Sequence, residues 1–184
     1  MVYFYDQAPS PTDYSKEVLS GLRASRKYIS PKFFYDERGS ELFTEITCQP
    51  EYYLTETEIQ LLRKHSEEIS SLMGREALLI EYGSGSSTKI RILLESLRPS
   101  IYAPLDISKD YLVEAAQALA SDYPWLEVHA TCVDFTTEFK LPFQSDKRRI
   151  SFFPGSSIGN FEPQEAKEFL IKVRRLVGPG GGVL

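Results

Sequence analysis

Three apolar runs in this chain end on an acidic residue. Ala77-Leu78-Leu79-Ile80 leads into Glu81, Ile101-Tyr102-Ala103-Pro104-Leu105 into Asp106, and the run from Leu126 to Val133 into Asp134. After the first, Tyr82-Gly83-Ser84-Gly85-Ser86-Ser87 breaks the apolar pattern before a new amphipathic one opens at Thr88-Lys89. A glycine turn between strand and helix lets a flat or charged ligand approach the main chain just beyond the strand's carboxyl end. Asp106 follows that turn at close to the ~20-residue spacing of a ribose-binding carboxylate. Asp134-Phe135 offers a carboxylate for an exocyclic amine and an aromatic face for a ring. Either acid alone reads as a turn or capping residue; together with the turn they read as a ligand site. Three carboxylates would repel a pyrophosphate, and a ligand that combines a cation, a ribose and an adenine suits them better. S-adenosylmethionine has that chemistry, held along Glu81, Gly83, Ser84, Gly85, Asp106, Asp134 and Phe135. A P-loop is excluded because its Gly-Lys-Ser/Thr ending is missing, and a nicotinamide dehydrogenase is weakened by Thr88 in place of a third glycine.

These residues need a scaffold that brings strand ends to one edge. From about residue 75 apolar runs alternate with amphipathic stretches, the mark of a parallel sheet with right-handed crossovers. Leu93, Leu94 and Leu97 give one crossover helix its inner face, and Leu112, Ala115, Ala116 and Leu119 serve the next, capped by Ser108. Arg149-Ile150-Ser151-Phe152-Phe153 is a fourth strand. The helix after it starts at Pro163, is lined by Ala166, Phe169, Leu170 and Val173, and stops at Gly178-Pro179. Gly180-Gly181-Gly182-Val183-Leu184 reads as the opening of a fifth strand. The sheet is therefore expected to be truncated at the C-terminus, with the fourth strand left as an exposed apolar edge through which copies could self-associate.

Residues 1–74 read as mostly helical. Tyr14, Val18, Leu19 and Leu22 mark one apolar face, and Leu42, Phe43 and Ile46 a second. Thr55-Glu56-Thr57-Glu58 predicts a capping box that opens a third helix, whose inner face carries Ile59, Leu62, Ile69 and Leu72. The predicted fold class is α/β: a Rossmann-type parallel sheet with flanking helices over 75–184, forming a partial donor-binding domain. A helical segment over 1–74 precedes it and contributes to the acceptor site.

With 42% hydrophobic and 26% charged residues, the 184-residue chain has enough apolar material for one ordinary core plus an appendage. A net charge of -5 gives no electrostatic footprint for nucleic acid or an anionic membrane, and no apolar run reaches the ~18 residues of a membrane span. The first residues lack a basic stretch followed by an apolar core, so no signal peptide is read. Cys48 and Cys132 have no metal-type spacing and read as buried thiols in a reducing compartment. A cytoplasmic protein without nucleic-acid, membrane or metal partners is expected.

A second loop lies at the same end of the sheet, Pro154-Gly155-Ser156-Ser157-Ile158-Gly159-Asn160-Phe161. Its Gly155-x-Ser157-x-Gly159 matches the nucleophile elbow of α/β-hydrolases. That reading fails on order, because His65 and His129 both precede the serine. The loop belongs instead to a set of motifs that occur in sequence: Phe34-Tyr35-Asp36, Gly39-Ser40-x-Leu42-Phe43, Ile46-Thr47, Pro50-Glu51-Tyr52-Tyr53-x-Thr55, Glu81-x-Gly83-Ser84-Gly85 and Gly155-Ser156-Ser157-Ile158-Gly159-Asn160. From about residue 12 to the last residue, the chain resembles the histidine-specific Nα-methyltransferases of ergothioneine biosynthesis and their fungal relatives that methylate tryptophan derivatives.

The resemblance implies a methyl donor, S-adenosylmethionine, lying along Gly83, Lys89, Asp106, Asp134 and Phe135. It implies an amino-acid acceptor, L-histidine or a tryptophan derivative, against Tyr35, Tyr52 and Asn160, with Asn160 on the α-amino group and Tyr52 on the α-carboxylate. Members of that family continue past this point, and the residues that read the imidazole belong to the continuation, so a chain that only binds the donor is the other expectation. Tyr82 stands where the family would have leucine.

Overall fold

Runs such as Leu78-Leu79-Ile80 and Tyr102-Ala103-Pro104-Leu105 are apolar on both faces, as strands of a sheet covered on both sides must be. In the computed structural model, which describes residues 1–85 and 88–184 and, of those, all side chains but 11–13 and 37, they form the middle of a parallel sheet. The Ser86-Ser87 pair after the glycine turn lies outside the described residues. The elements run β1 (Val2–Gln7), α1 (Pro11–Arg23), a 3-10 turn (Pro31–Phe34), α2 (Glu37–Thr47), α3 (Leu54–Met73), β2 (Leu78–Tyr82), α4 (Thr88–Leu97), β3 (Ile101–Asp106), α5 (Lys109–Asp122), β4 (Glu127–Val133), β5 (Arg149–Phe152), a second 3-10 turn (Ser157–Asn160), α6 (Pro163–Val177) and β6 (Gly182–Val183). Their order across the sheet is β1-β4-β3-β2-β5-β6, every pair parallel. This is the expected Rossmann-like α/β fold.

Helices cover both faces. Leu62 of α3, Leu93, Leu94 and Leu97 of α4, and Leu112, Ala116 and Leu119 of α5 pack with Leu79, Tyr102 and Val128 on one side. On the other, Phe169, Val173 and Val177 of α6 meet Leu78, Ile80, Tyr82 and Leu105. Pro163 opens α6 as predicted, supported by a capping box between Glu162 and Glu165, and Gly178 closes it at φ 70°.

Several expectations are corrected. The first residues are not helical: Val2–Gln7 pairs with Val128–Val133, Val2 opposite Val128. Tyr3, Phe4 and Tyr5 are strand formers, and an edge strand exposed along most of its length shows no clean alternation to announce it. Helix α3 starts one residue before Thr55, with Tyr53 at its cap and no side-chain capping bond, so the predicted box does not form. Ser108 sits at the cap of α5 but makes no side-chain bond to it; the Asp106 carboxylate instead takes the Ser108 N–H at 2.9 Å. Leu72 and Leu170 face outward, and so do Leu19, Leu22, Leu42 and Ile46 on the apolar sides of α1 and α2; Cys132 is buried as expected, whereas Cys48, just past the end of α2, is exposed. The outer side of β5 is not left open, because Gly182 and Val183 pair with Ile150 and Ser151, and Leu184 exchanges backbone bonds with Ser151 and Phe153.

Candidate active site

Because every strand runs the same way, all carboxyl ends share one edge of the sheet. The registers Tyr82 opposite Leu105, Asp106 opposite Cys132 and Glu81 opposite Phe152 keep those ends level. From β2 the chain steps outward to β3 and β4, then returns to the other side of β2 with β5. Such a reversal opens a crevice between the loops after β2 and β5, which are the glycine turn and the Gly155–Asn160 loop. At the turn Gly83 takes φ 71° and its N–H bonds the Leu105 carbonyl at 2.8 Å. Among the described residues a Cβ there would meet only Phe135 Cε1, at 4.0 Å, so the backbone lies open toward that ring.

The three acids differ in state. Glu81 is buried beneath the turn, where the Tyr102 hydroxyl donates to it. Burial pushes its carboxyl up to about 8, against the Tyr102 bond and with the charge of Asp106 adding to the rise; it keeps its proton at neutral pH. Burial also raises Asp106, while the amides of Ser108, Ile107, Gly85 and Ser84 pull it back. The strand-end carboxylate therefore faces the backbone of the glycine turn. Asp134 is only 3% exposed, yet both oxygens are engaged: Oδ2 lies 2.6 Å from Lys32 Nζ, and Oδ1 takes the Thr136 amide at 3.0 Å and its hydroxyl at 2.5 Å. Burial lowers the Lys32 ammonium, but Asp134 and Glu17, the latter also at 2.6 Å, outweigh it and hold the pKa above its ordinary value.

Beside Asp134, Phe135 joins Tyr82, Phe153 and Phe169 in a nest of edge-on and tilted rings, with centroids 4.7 to 6.2 Å apart. Tyr82, unexpected at its position, is the hub of that nest, and burial pushes its hydroxyl up to about 12. On the other side of the crevice Lys89, in the first turn of α4, sends Nζ to within 2.6 Å of Glu58 Oε2. The same Glu58 carboxylate accepts the Gly155 N–H at 3.0 and 3.2 Å.

Tyr35 and Tyr52 both meet the Phe43 ring edge-on, at 6.1 and 5.9 Å, so the two predicted acceptor tyrosines share one cluster. Asn160 ends the second 3-10 turn with its side chain exposed; among the described residues no hydrogen bond or ring contact joins it to either tyrosine. Ser157 donates to the Pro154 carbonyl at 3.5 Å, whereas His65 pairs with Glu68 and His129 with Glu127 and Tyr5. No base serves Ser157 among the described residues, and the hydrolase reading lapses. A surface cavity of about 850 Å³, lined by Arg63, Ser70, Gly74, Arg75 and Ser96, lies toward the amino ends of the strands, away from this crevice.

Sequence reasoning missed three side chains that shape the site. Lys32 is a lone cation in an aromatic loop, which could have marked it. Glu58 reads as part of a helix start and Tyr102 as a core strand residue, and neither carries a local signal.

The family described as histidine-specific methyltransferase, SAM-dependent, matches residues 14–184. The chain belongs to this family. It is similar to histidine N-alpha-methyltransferase of Mycolicibacterium smegmatis, 40% identical over an alignment of 174 residues, covering 92% of this chain and 53% of that protein. It is also similar to ergothioneine biosynthesis protein 1 of Neurospora crassa, 37% identical over 157 residues, covering 82% of this chain and 18% of that one. The chain thus spans about half the length of the curated bacterial methyltransferase it matches. Among solved structures, the plantazolicin methyltransferase BpumL in complex with SAH superposes with a TM-score of 0.57 at 13% identity, covering 94% of this chain and 59% of that one. That likeness shows a common fold between this family member and a methyltransferase of distant sequence.

Proposed function

We propose that the chain binds S-adenosylmethionine across the β2/β5 crevice and methylates the α-amino nitrogen of L-histidine, as in ergothioneine biosynthesis. The family match over residues 14–184 carries this reading. The crevice suits the donor chemically: Gly83 leaves room for it, Asp106 and Asp134 supply carboxylates, Phe135 a ring face and Lys89 a cation for a carboxylate. Glu81, Ser84 and Gly85 shape the turn beneath. When bound, S-adenosylmethionine supplies an electrophilic methyl group.

The chain's own task is to orient the acceptor, since positioning a well-aligned amine can remove about 7–11 kcal/mol of the barrier. Asn160 holds the amine without adding a charge that would keep it protonated. Tyr52 donates to the acceptor carboxylate, and Tyr35 lends a ring face to the growing cation. The helices of segment 1–74 frame this acceptor side, and 75–184, with β1 added at the sheet edge, forms the donor-binding domain. Among the described residues no helix is long and apolar enough to cross a membrane; with two free thiols, Cys48 and Cys132, a reducing cytoplasm suits the chain.

Calorimetry with S-adenosylmethionine and NAD, followed by mass spectrometry of histidine incubated with chain and donor, tests the reading. Binding of the sulfonium donor alone and a histidine mass increase of one or more methyl groups are expected. Binding of NAD instead refutes the donor assignment. Methylation of a tryptophan derivative in place of histidine refutes the acceptor, and donor binding without transfer reduces the chain to a donor-binding module.

A further inference from the structure

The Glu58 carboxylate ties together three segments that the reaction must keep in register. It projects from α3, lies 2.6 Å from Lys89 Nζ at the start of α4, and accepts the Gly155 N–H at the start of the loop that carries Asn160. Both ends of this tie need holding. A cation in the first turn of a helix opposes the helix dipole, which favours anions there; Lys89 nevertheless sits in that turn with its side chain only 12% exposed, and Glu58 balances it. Gly155 and Ser156 take φ 82° and 58° in succession, a left-handed pair that the serine adopts against its own sterics. The bond from Glu58 to the Gly155 amide falls at that pair. The two ends also lie near one another, because a Cβ built on Gly155 would come within 3.7 Å of Lys89 Nζ.

We propose that Glu58 is a positioning residue that clamps the acceptor loop 154–161 to the donor helix α4 and keeps Lys89 in place until the donor's carboxylate claims it. The second half of this proposal rests on the donor-binding reading above. Glu58 and a methionyl carboxylate compete for one ammonium, while the charge-assisted bond to Gly155 persists in either state.

Two variants separate the two roles. Glu58→Ala removes both bonds, whereas Glu58→Gln keeps an acceptor oxygen for Gly155 and removes the negative charge. Hydrogen exchange of the 154–161 peptide reads the clamp, and calorimetry with S-adenosylhomocysteine reads the competition. Exchange at Gly155 is expected to speed up about ten-fold or more in Glu58→Ala and to stay within about two-fold of wild type in Glu58→Gln. S-adenosylhomocysteine is expected to bind several-fold more tightly to both. A glutamate that merely supports the fold gives the opposite split, with weaker donor binding in both variants and no rescue by glutamine. Unchanged exchange in Glu58→Ala, or unchanged or weaker donor affinity in Glu58→Gln, overturns the proposal. If Glu58→Ala does not fold, the affinity of Glu58→Gln decides alone. A wild-type chain that binds no S-adenosylhomocysteine sinks the donor-binding reading and the competition with it, and the exchange measurement still decides the clamp.

Discussion

Replacing Glu81 by glutamine isolates the cost of a carboxyl held dry beneath the glycine turn. In the unfolded chain Glu81 ionises near its ordinary 4.5, and in the folded chain burial pushes it up to about 8. Between those values the folded chain keeps a proton that the unfolded chain has lost. Stability therefore falls as pH rises through this window and levels off above it. At about 1.4 kcal/mol for each pH unit of the gap, the loss is capped near 5 kcal/mol. Local relaxation and water entry raise the effective dielectric and bring the expected loss to about 3 kcal/mol. Glutamine is neutral at every pH and still accepts the Tyr102 hydroxyl, so its stability lacks this slope. Urea unfolding of both proteins at pH 5, 6.5 and 8.5 measures the difference. Glu81→Gln should gain about 3 kcal/mol on wild type across that range. Parallel curves, with a gap constant to about 0.5 kcal/mol, would refute the assignment of a protonated Glu81.

Tyr102→Phe takes away the hydroxyl that Glu81 accepts and should cost about 1–3 kcal/mol in urea at pH 6; an unmoved midpoint would show that the bond contributes nothing. Lys32→Met keeps the stem but strands the Asp134 carboxylate, whose side chain is 2% exposed, and should cost about 3–5 kcal/mol at pH 7. A loss below about 1 kcal/mol would mean that water already screens the pair. Among the described residues Gly83→Ala meets no atom closer than 4.0 Å, so its cost should be the conformational ~1–2 kcal/mol of a left-handed residue; a thermal melt reporting a much larger loss would point to a clash instead. Asn160→Ala, at an exposed position, should leave the melting temperature and S-adenosylmethionine binding unchanged while abolishing methyl transfer to histidine. Lost donor binding with a retained rate would remove Asn160 from the acceptor side.

Most of the sheet was legible because its strands are covered on both faces and read as unbroken apolar runs, and because Glu81, Asp106 and Asp134 punctuate them. The glycine turn and the Asn160 loop were legible for the same reason: parallel strands force their carboxyl-terminal loops to one edge. Strand β1 escaped because an edge strand has one neighbour and mostly exposed side chains, so Tyr3-Phe4-Tyr5 showed propensity without pattern. Thr55 and Ser108 looked like caps because their residue types suit caps; Tyr53 took the first position, and the Asp106 carboxylate took the amide at the second. The pairings of Lys32 with Asp134 and of Glu58 with Lys89 and Gly155 join residues far apart in the chain, and no local spacing announces them. What local sequence encodes is the placement of each loop, while the ties between loops exist only once the sheet is assembled.

The hydrogen bond from the Met1 ammonium to Leu126 spans 125 positions. During synthesis at ~5–20 residues per second, the segment that becomes β1 leaves the ribosome roughly ten seconds before its partner β4 exists. For that interval Tyr3, Phe4 and Tyr5 have no strand to pair with, so this edge of the sheet closes only after the other elements up to β4 have been made.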